Sequence, residues 1–375
     1  MIKLSTIVCA VGLLLSLSGC QQRPNGIGQI IYSDGYLHLC GWPNTERLNL
    51  ADNSLESYPF QCYTMYLDKN GWIWSVGAHS IRVYHDKAWH EIDLPIAGDL
   101  GSIYEVQSLS ETDDGLIWAS SASLSTYDPQ TGQAAVIIPT IAVPTLTPGP
   151  TPELFDIITR PSVGNIGPVF EAADGALWYN QQFDGIVRWD RTTGQKQLWS
   201  SHDGFQGFMP MPEKFLQMAD GSIWVGTWTG VYRLNGPNTK TWQTWTLPYE
   251  TSQFHRSQGD YRVLDMLTDR ARHVWAVFNR AGVGMWDGVK WNAIGDFESP
   301  AGPRTLFEDS AGMVWIGSLQ RGVGKYHAGT LTMYPKLNIV TFAETPDHRL
   351  FGGGSDGLVL YDSQSDQWKP YPPQQ

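Results

Sequence analysis

Asp220-Gly221-Ser222-Ile223-Trp224-Val225-Gly226-Thr227 is a tight turn that runs into an apolar strand carrying a tryptophan. The chain repeats it. Asp174-Gly175-Ala176-Leu177-Trp178 is an equally clean copy, and Asn70-Gly71-Trp72-Ile73-Trp74, Asp114-Gly115-Leu116-Ile117-Trp118 and Ala311-Gly312-Met313-Val314-Trp315 follow closely. Ala271-Arg272-His273-Val274-Trp275, Asp34-Gly35-Tyr36-Leu37-His38 and Asp347-His348-Arg349-Leu350-Phe351 are looser copies. Asp and Gly belong in such turns for backbone reasons: positive φ and side-chain-to-backbone hydrogen bonds. A unit of this size buries its apolar face only against its neighbours, so the repeat decides the architecture.

Each unit has a second half. A short apolar strand with an aromatic follows (Ile81-Arg82-Val83-Tyr84, Ile186-Val187-Arg188-Trp189, Gly230-Val231-Tyr232-Arg233), then a polar turn and a fourth strand that often holds another Trp. Four short β-rich runs per unit, bounded by Gly and Asp, indicate an all-β fold: a β-propeller of four-stranded antiparallel blades. Second-strand slots at 38, 74, 118, 178, 224, 275, 315 and 351 argue for eight blades; seven is the competing count, because the copies with His38 and Phe351 are the weakest. Of the 17 tryptophans, six fill the second-strand slot and six the fourth-strand slot, where they would pack between blades. That is a structural use and requires no cofactor. The chain starts near an inner strand and ends near an outer one, so no strand exchange is expected to close the ring.

The units resemble the two-component-regulator propeller repeat, with its Asp-x-x-Gly-x-apolar-Trp-apolar-Gly-Thr core. Asp309-Ser310-Ala311-Gly312-Met313-Val314-Trp315-Ile316-Gly317-Ser318 has the full spacing. In that family such propellers are extracytoplasmic sensors of membrane-bound kinases. The resemblance implies the fold and a ligand-sensing or scaffolding role, with no ligand specified.

The amino terminus reads as an export signal: Lys3, an apolar run from Ile7 to Leu17, then Leu17-Ser18-Gly19-Cys20. The run is too short for a stable membrane span. The last four residues resemble the bacterial lipobox, which implies cleavage before Cys20, lipidation of its thiol and a location in the cell envelope, facing the extracytoplasmic side. The competing reading is an ordinary secretory signal cut near Ala10 or Gly19. The expected organisation is a signal peptide over 1–19, a lipidated tether over 20–26 and one propeller domain over 27–373, with a Pro/Thr-rich insertion at about 139–160. A formal net charge of −12 makes nucleic acid a poor partner. Once Cys9 leaves with the signal and Cys20 is lipidated, Cys40 and Cys62 remain, at positions that topology brings to one face of neighbouring blades. A disulfide between them is favoured over two free thiols.

Strand direction sorts the loops. All copies of the Asp/Gly turn lie on one face; the loops between strands two and three, and those between blades, lie on the other. Asp128, Asp190 and Asp362 open loops that look like calcium sites but lack the ligand series, so Asx-turns are the better account. Function is therefore expected on the loop face, where blades differ. The candidate ligand-binding residues there are His79, Asn180, Gln181, Trp228, Arg262, Arg280, Arg304, Gln320 and Arg321. Aromatics beside Arg and amide side chains suit a small polar or saccharide-like ligand; a membrane or extracytoplasmic protein partner is the other expectation. No metal spacing, nucleophile elbow or phosphate loop occurs, and no catalytic residue, metal or cofactor is assigned. A non-catalytic binder is favoured. The alternative is a propeller enzyme of the lyase or hydrolase type, similar to streptogramin lyases or active on glycans, with its site around the central channel.

Overall fold

The Asp/Gly turns close hairpins in which a left-handed residue sits three positions before the tryptophan slot. Gly71 (φ 82°), Gly221 (φ 80°) and Gly312 (φ 79°) supply it at no steric cost. Arg272 (φ 67°) and His348 (φ 64°) take up the same conformation in the looser copies. The residue six before the slot completes the turn. Asp309 Oδ1 accepts from the backbone N–H groups of Ala311 and Met313, at 3.0 and 2.9 Å. Asp68 does the same for Asn70 and Trp72, at 2.9 Å each.

In the computed structural model these hairpins belong to eight four-stranded antiparallel sheets, each with its strands in sequence order. The described residues are 26–373 except 42, 78–79, 95–105, 107, 122, 139–165, 182–184, 201–202, 204–211, 237–238, 240–241, 246–261, 280, 296 and 298–301. Blade one is formed by Ile27–Ser33, Tyr36–Gly41, Thr45–Asn49 and Leu55–Tyr58; blade eight by Thr341–Glu344, Leu350–Gly354, Gly357–Asp362 and Gln367–Pro370. The count is eight and not seven, and His38 and Phe351 occupy second strands like the tryptophans. Neither terminal blade borrows a strand. Blade eight meets blade one through the Thr341 hydroxyl, which accepts from the Ile30 N–H at 3.1 Å. An apolar cluster that includes Ile27, Ile30, Phe351 and Tyr371 completes that seam.

The core is a ring of interblade layers. Second-strand indoles are buried and meet a third-strand aromatic of the next blade: Trp74 with Tyr127 (5.5 Å between centroids), Trp275 with Tyr326 (4.9 Å) and Trp315 with Tyr361 (4.7 Å). A polar latch runs around the turn face. The residue that ends the first strand of one blade accepts a backbone N–H from the turn of the blade before it. Glu111 takes Lys69 at 2.8 Å, Gln217 takes Ala173 at 2.7 Å, Glu308 takes Arg270 at 3.0 Å and Glu344 takes Ser310 at 2.7 Å. Buried indoles and latched turns together fix blade spacing, which holds the loops of the other face in place. Cys40 and Cys62 are bonded to each other (Cα–Cα 5.1 Å) and join blades one and two on that loop face. The loops at Asp128, Asp190 and Asp362 are Asx-turns, with Oδ1 accepting from the N–H two residues on at 2.8, 2.9 and 3.0 Å. The lipobox with Cys20 and the insertion around 139–160 lie outside the described residues.

Candidate functional site

On the loop face, blades five and six bring three side chains into one group. Blade five contributes Glu213, near the start of its first strand (Pro212–Gln217), and Trp228, in the turn that follows Ile223–Thr227. Arg262, from the segment entering blade six, completes the group. The Trp228 indole N–H donates to Glu213 Oε1. Arg262 Nη2 reaches the same oxygen at 2.8 Å, and its guanidinium carbon lies 4.7 Å from the Trp228 ring centroid. One carboxylate oxygen thus holds an indole and a guanidinium, leaving the indole 45% exposed. The second-strand indoles are buried between blades; Trp228 is held out to solvent.

Around this group the channel-side residues pair across blades. Lys214 Nζ binds Asp265 Oδ1 at 2.9 Å. The second oxygen of Asp265 accepts from the Leu306 N–H at 2.9 Å and the Thr305 hydroxyl at 3.2 Å, which ties blade six to blade seven. Arg304 Nη1 donates to Asn279 Oδ1 at 3.1 Å. These pairs fix the long side chains in defined positions, so part of the entropic cost of ordering them falls on folding and not on binding.

The remaining sequence candidates separate. Asn180 is only 1% exposed, and its side-chain oxygen accepts the Gly167 N–H. It serves the loop's own backbone and does not face solvent. Gln181 ends its strand opposite Gly185 and is half-buried. Gln320 and Arg321 are exposed in the loop after Val314–Ser318, where the Arg321 N–H donates to the Ser318 hydroxyl at 2.9 Å. His79 and Arg280 lie outside the described residues. Sequence reasoning overlooks Glu213; the signal is an acid at the start of an inner strand, where a blade-to-blade loop enters the blade. Among the described residues no group of three or more His, Cys, Asp or Glu is arranged to hold a metal ion.

No known protein family matches the chain, and no curated protein is similar to it in sequence. Solved structures share its fold at low identity. A streptogramin B lyase is 14% identical with a TM-score of 0.55, over 85% of this chain and 96% of the lyase. Virginiamycin B lyase from Staphylococcus aureus, determined with quinupristin, is 13% identical with a TM-score of 0.54, over 79% and 93%. The extracellular domain of a protein described as a hybrid two-component system from B. thetaiotaomicron is 14% identical with a TM-score of 0.51. That alignment covers 94% of this chain but only 53% of the domain, so the chain spans about half its length. The shared feature is the propeller fold.

Proposed function

We propose that this chain is a non-catalytic recognition propeller of the cell envelope, tethered through a lipidated Cys20, which captures a polar, anionic, saccharide-like ligand on its loop face. The observation that carries this reading is Trp228, exposed and steered by Glu213 and Arg262. An exposed indole beside guanidinium groups offers a stacking surface together with directed donors for carboxylate and hydroxyl groups. Within the paired group Arg262, Arg304 and Lys214 outnumber Glu213 and Asp265, in a chain whose net charge is −12. A locally cationic group on an acidic protein favours anions and speeds their encounter. The sensor role that the repeat implies is compatible with capture of this kind, since a sensor needs a ligand site and no chemistry.

The reading is tested by calorimetric titration of the full chain with oligogalacturonate and with maltotriose. Oligogalacturonate is expected to bind, and to bind more weakly as salt rises. Affinity should fall about tenfold or more in Trp228→Ala and in Arg304→Ala, with melting temperatures unchanged within a few degrees. Turnover of either sugar by the wild-type chain would refute the non-catalytic reading.

A further inference from the structure

Blade one departs from the repeat at its second-strand slot, where His38 stands in place of the indole. The interblade ring contact is conserved: His38 lies 5.5 Å, edge-on, from Tyr84, the third-strand aromatic of blade two, as Trp74 lies from Tyr127. A smaller ring leaves space. A cavity of about 570 Å³ opens there on the turn face, between blades one and two. His38 lines it, is 2% exposed, and has no hydrogen-bond partner on Nδ1 among the described residues. A buried polar atom without a partner is costly unless something supplies one.

Arg47 departs in the same way. Its register counterparts Arg188 and Arg233 sit opposite Trp178 and Trp224 and bind the turn carboxylates Asp174 and Asp220, at 2.7 and 2.8 Å. Arg47 sits opposite His38, yet it turns away from the equivalent Asp34. Its guanidinium lies 3.3 Å from the Tyr36 ring centroid and 4.8 Å from that of Tyr84, and meets Glu56 only at 3.5 Å. Asp34 is left at the cavity mouth with no ion pair among the described residues.

We propose that this cavity is a binding site for a neutral saccharide of one or two rings. Its volume lies within the roughly 300–1,000 Å³ of small-molecule sites. Asp34, Glu56 and Asp86 face Arg47 and Lys87, so acceptors and donors are nearly balanced. That balance suits interleaved hydroxyl groups and opposes a net charge. An organic cation would compete with Arg47 for the two tyrosine faces, and an anion would meet three carboxylates. His38 contributes a neutral imidazole, because burial and the nearby Arg47 push its pKa down to about 3. It therefore presents one donor and one acceptor across the physiological range. This site is distinct from the Trp228 group in both face and charge preference.

The test is calorimetric titration of the full chain with maltose, cellobiose, lactose, mannose and N-acetylglucosamine, with glucosamine and galacturonate as charged counterparts. At least one neutral sugar is expected to bind at millimolar concentration or below. In His38→Trp the affinity should fall about tenfold or more while the melting temperature holds or rises, because tryptophan fills the same slot elsewhere in the ring. If that variant does not fold, Arg47→Gln and Glu56→Gln carry the test and should each weaken binding. The proposal is overturned if no neutral sugar binds the wild type, if only the charged sugars bind, or if binding is unchanged in the variants that fold.

Discussion

The indole N–H of Trp315 donates to Asp309 Oδ2 at 2.7 Å, while the other oxygen of the same carboxylate caps the turn. Trp74 with Asp68 and Trp275 with Asp269 repeat the arrangement at 2.9 and 2.8 Å. Thr112 stands in for Asp opposite Trp118 at 2.9 Å. In blade four the position is Ala172, and the Trp178 N–H has no partner among the described residues. Asp309→Ala should therefore destabilise the protein by about 2–4 kcal/mol, since it strands one buried indole and two turn N–H groups. Ala172→Thr should add about 1 kcal/mol by supplying the missing acceptor. Urea unfolding of both variants checks the pair.

Arg272 and His348 hold the left-handed conformation that glycine holds in the other copies. Arg272→Gly should raise stability by about 1 kcal/mol, because relief of the side-chain clash exceeds the added freedom of the unfolded chain; His348→Gly should gain less, because it also loses the 2.7 Å contact of His348 Nδ1 with the Ser310 hydroxyl. Thermal unfolding of each single variant checks the sign.

The Cys40–Cys62 bond spans 22 residues of sequence and links two blades. Its removal by Cys40→Ser with Cys62→Ser should cost about 3 kcal/mol, chiefly by freeing the unfolded chain. The midpoint of denaturant unfolding, read with and without reductant for the wild type, gives the same comparison.

Asp366 accepts from Lys325 Nζ at 2.6 Å and from the hydroxyls of Tyr334 and Tyr361. Bonds from Lys325, Tyr334 and Tyr361 hold its carboxyl down to about 2, from an ordinary 3.8. A carboxyl depressed in the folded state contributes stability that is present above its unfolded value and lost as pH falls toward the folded one. The blade seven–eight seam should thus weaken between about pH 4 and pH 2. Asp366→Asn should flatten that part of the stability–pH curve and leave the slope above pH 5 unchanged.

The blades are legible in the sequence because a turn needing positive φ and a buried indole leave fixed residue types at fixed spacing. The Cys40–Cys62 pairing follows from the same topology. The latches are less legible. Glu111, Gln217, Glu308 and Glu344 all stand immediately before the turn, a signal visible only once interblade contact gives that position a meaning. His38 reads in sequence as a poor copy of the slot; in three dimensions the deficit is a cavity, which spacing cannot reveal. Asn180 looks like a ligand-facing amide because its loop lies on the right face, yet the Gly167 N–H claims it. Loop side chains are sorted by local backbone needs, which a repeat pattern does not encode.

The proposed recognition rests on residues that depart from the repeat, with Trp228 foremost. Indole N–H resonances of the ¹⁵N-labelled chain, with Trp228 assigned through Trp228→Phe, test it directly during titration with oligogalacturonate. The Trp228 resonance is expected to move in step with binding, while buried indoles such as Trp275 and Trp315 stay still. A Trp228 resonance that stays fixed while the sugar binds, or an absence of binding altogether, would contradict the account.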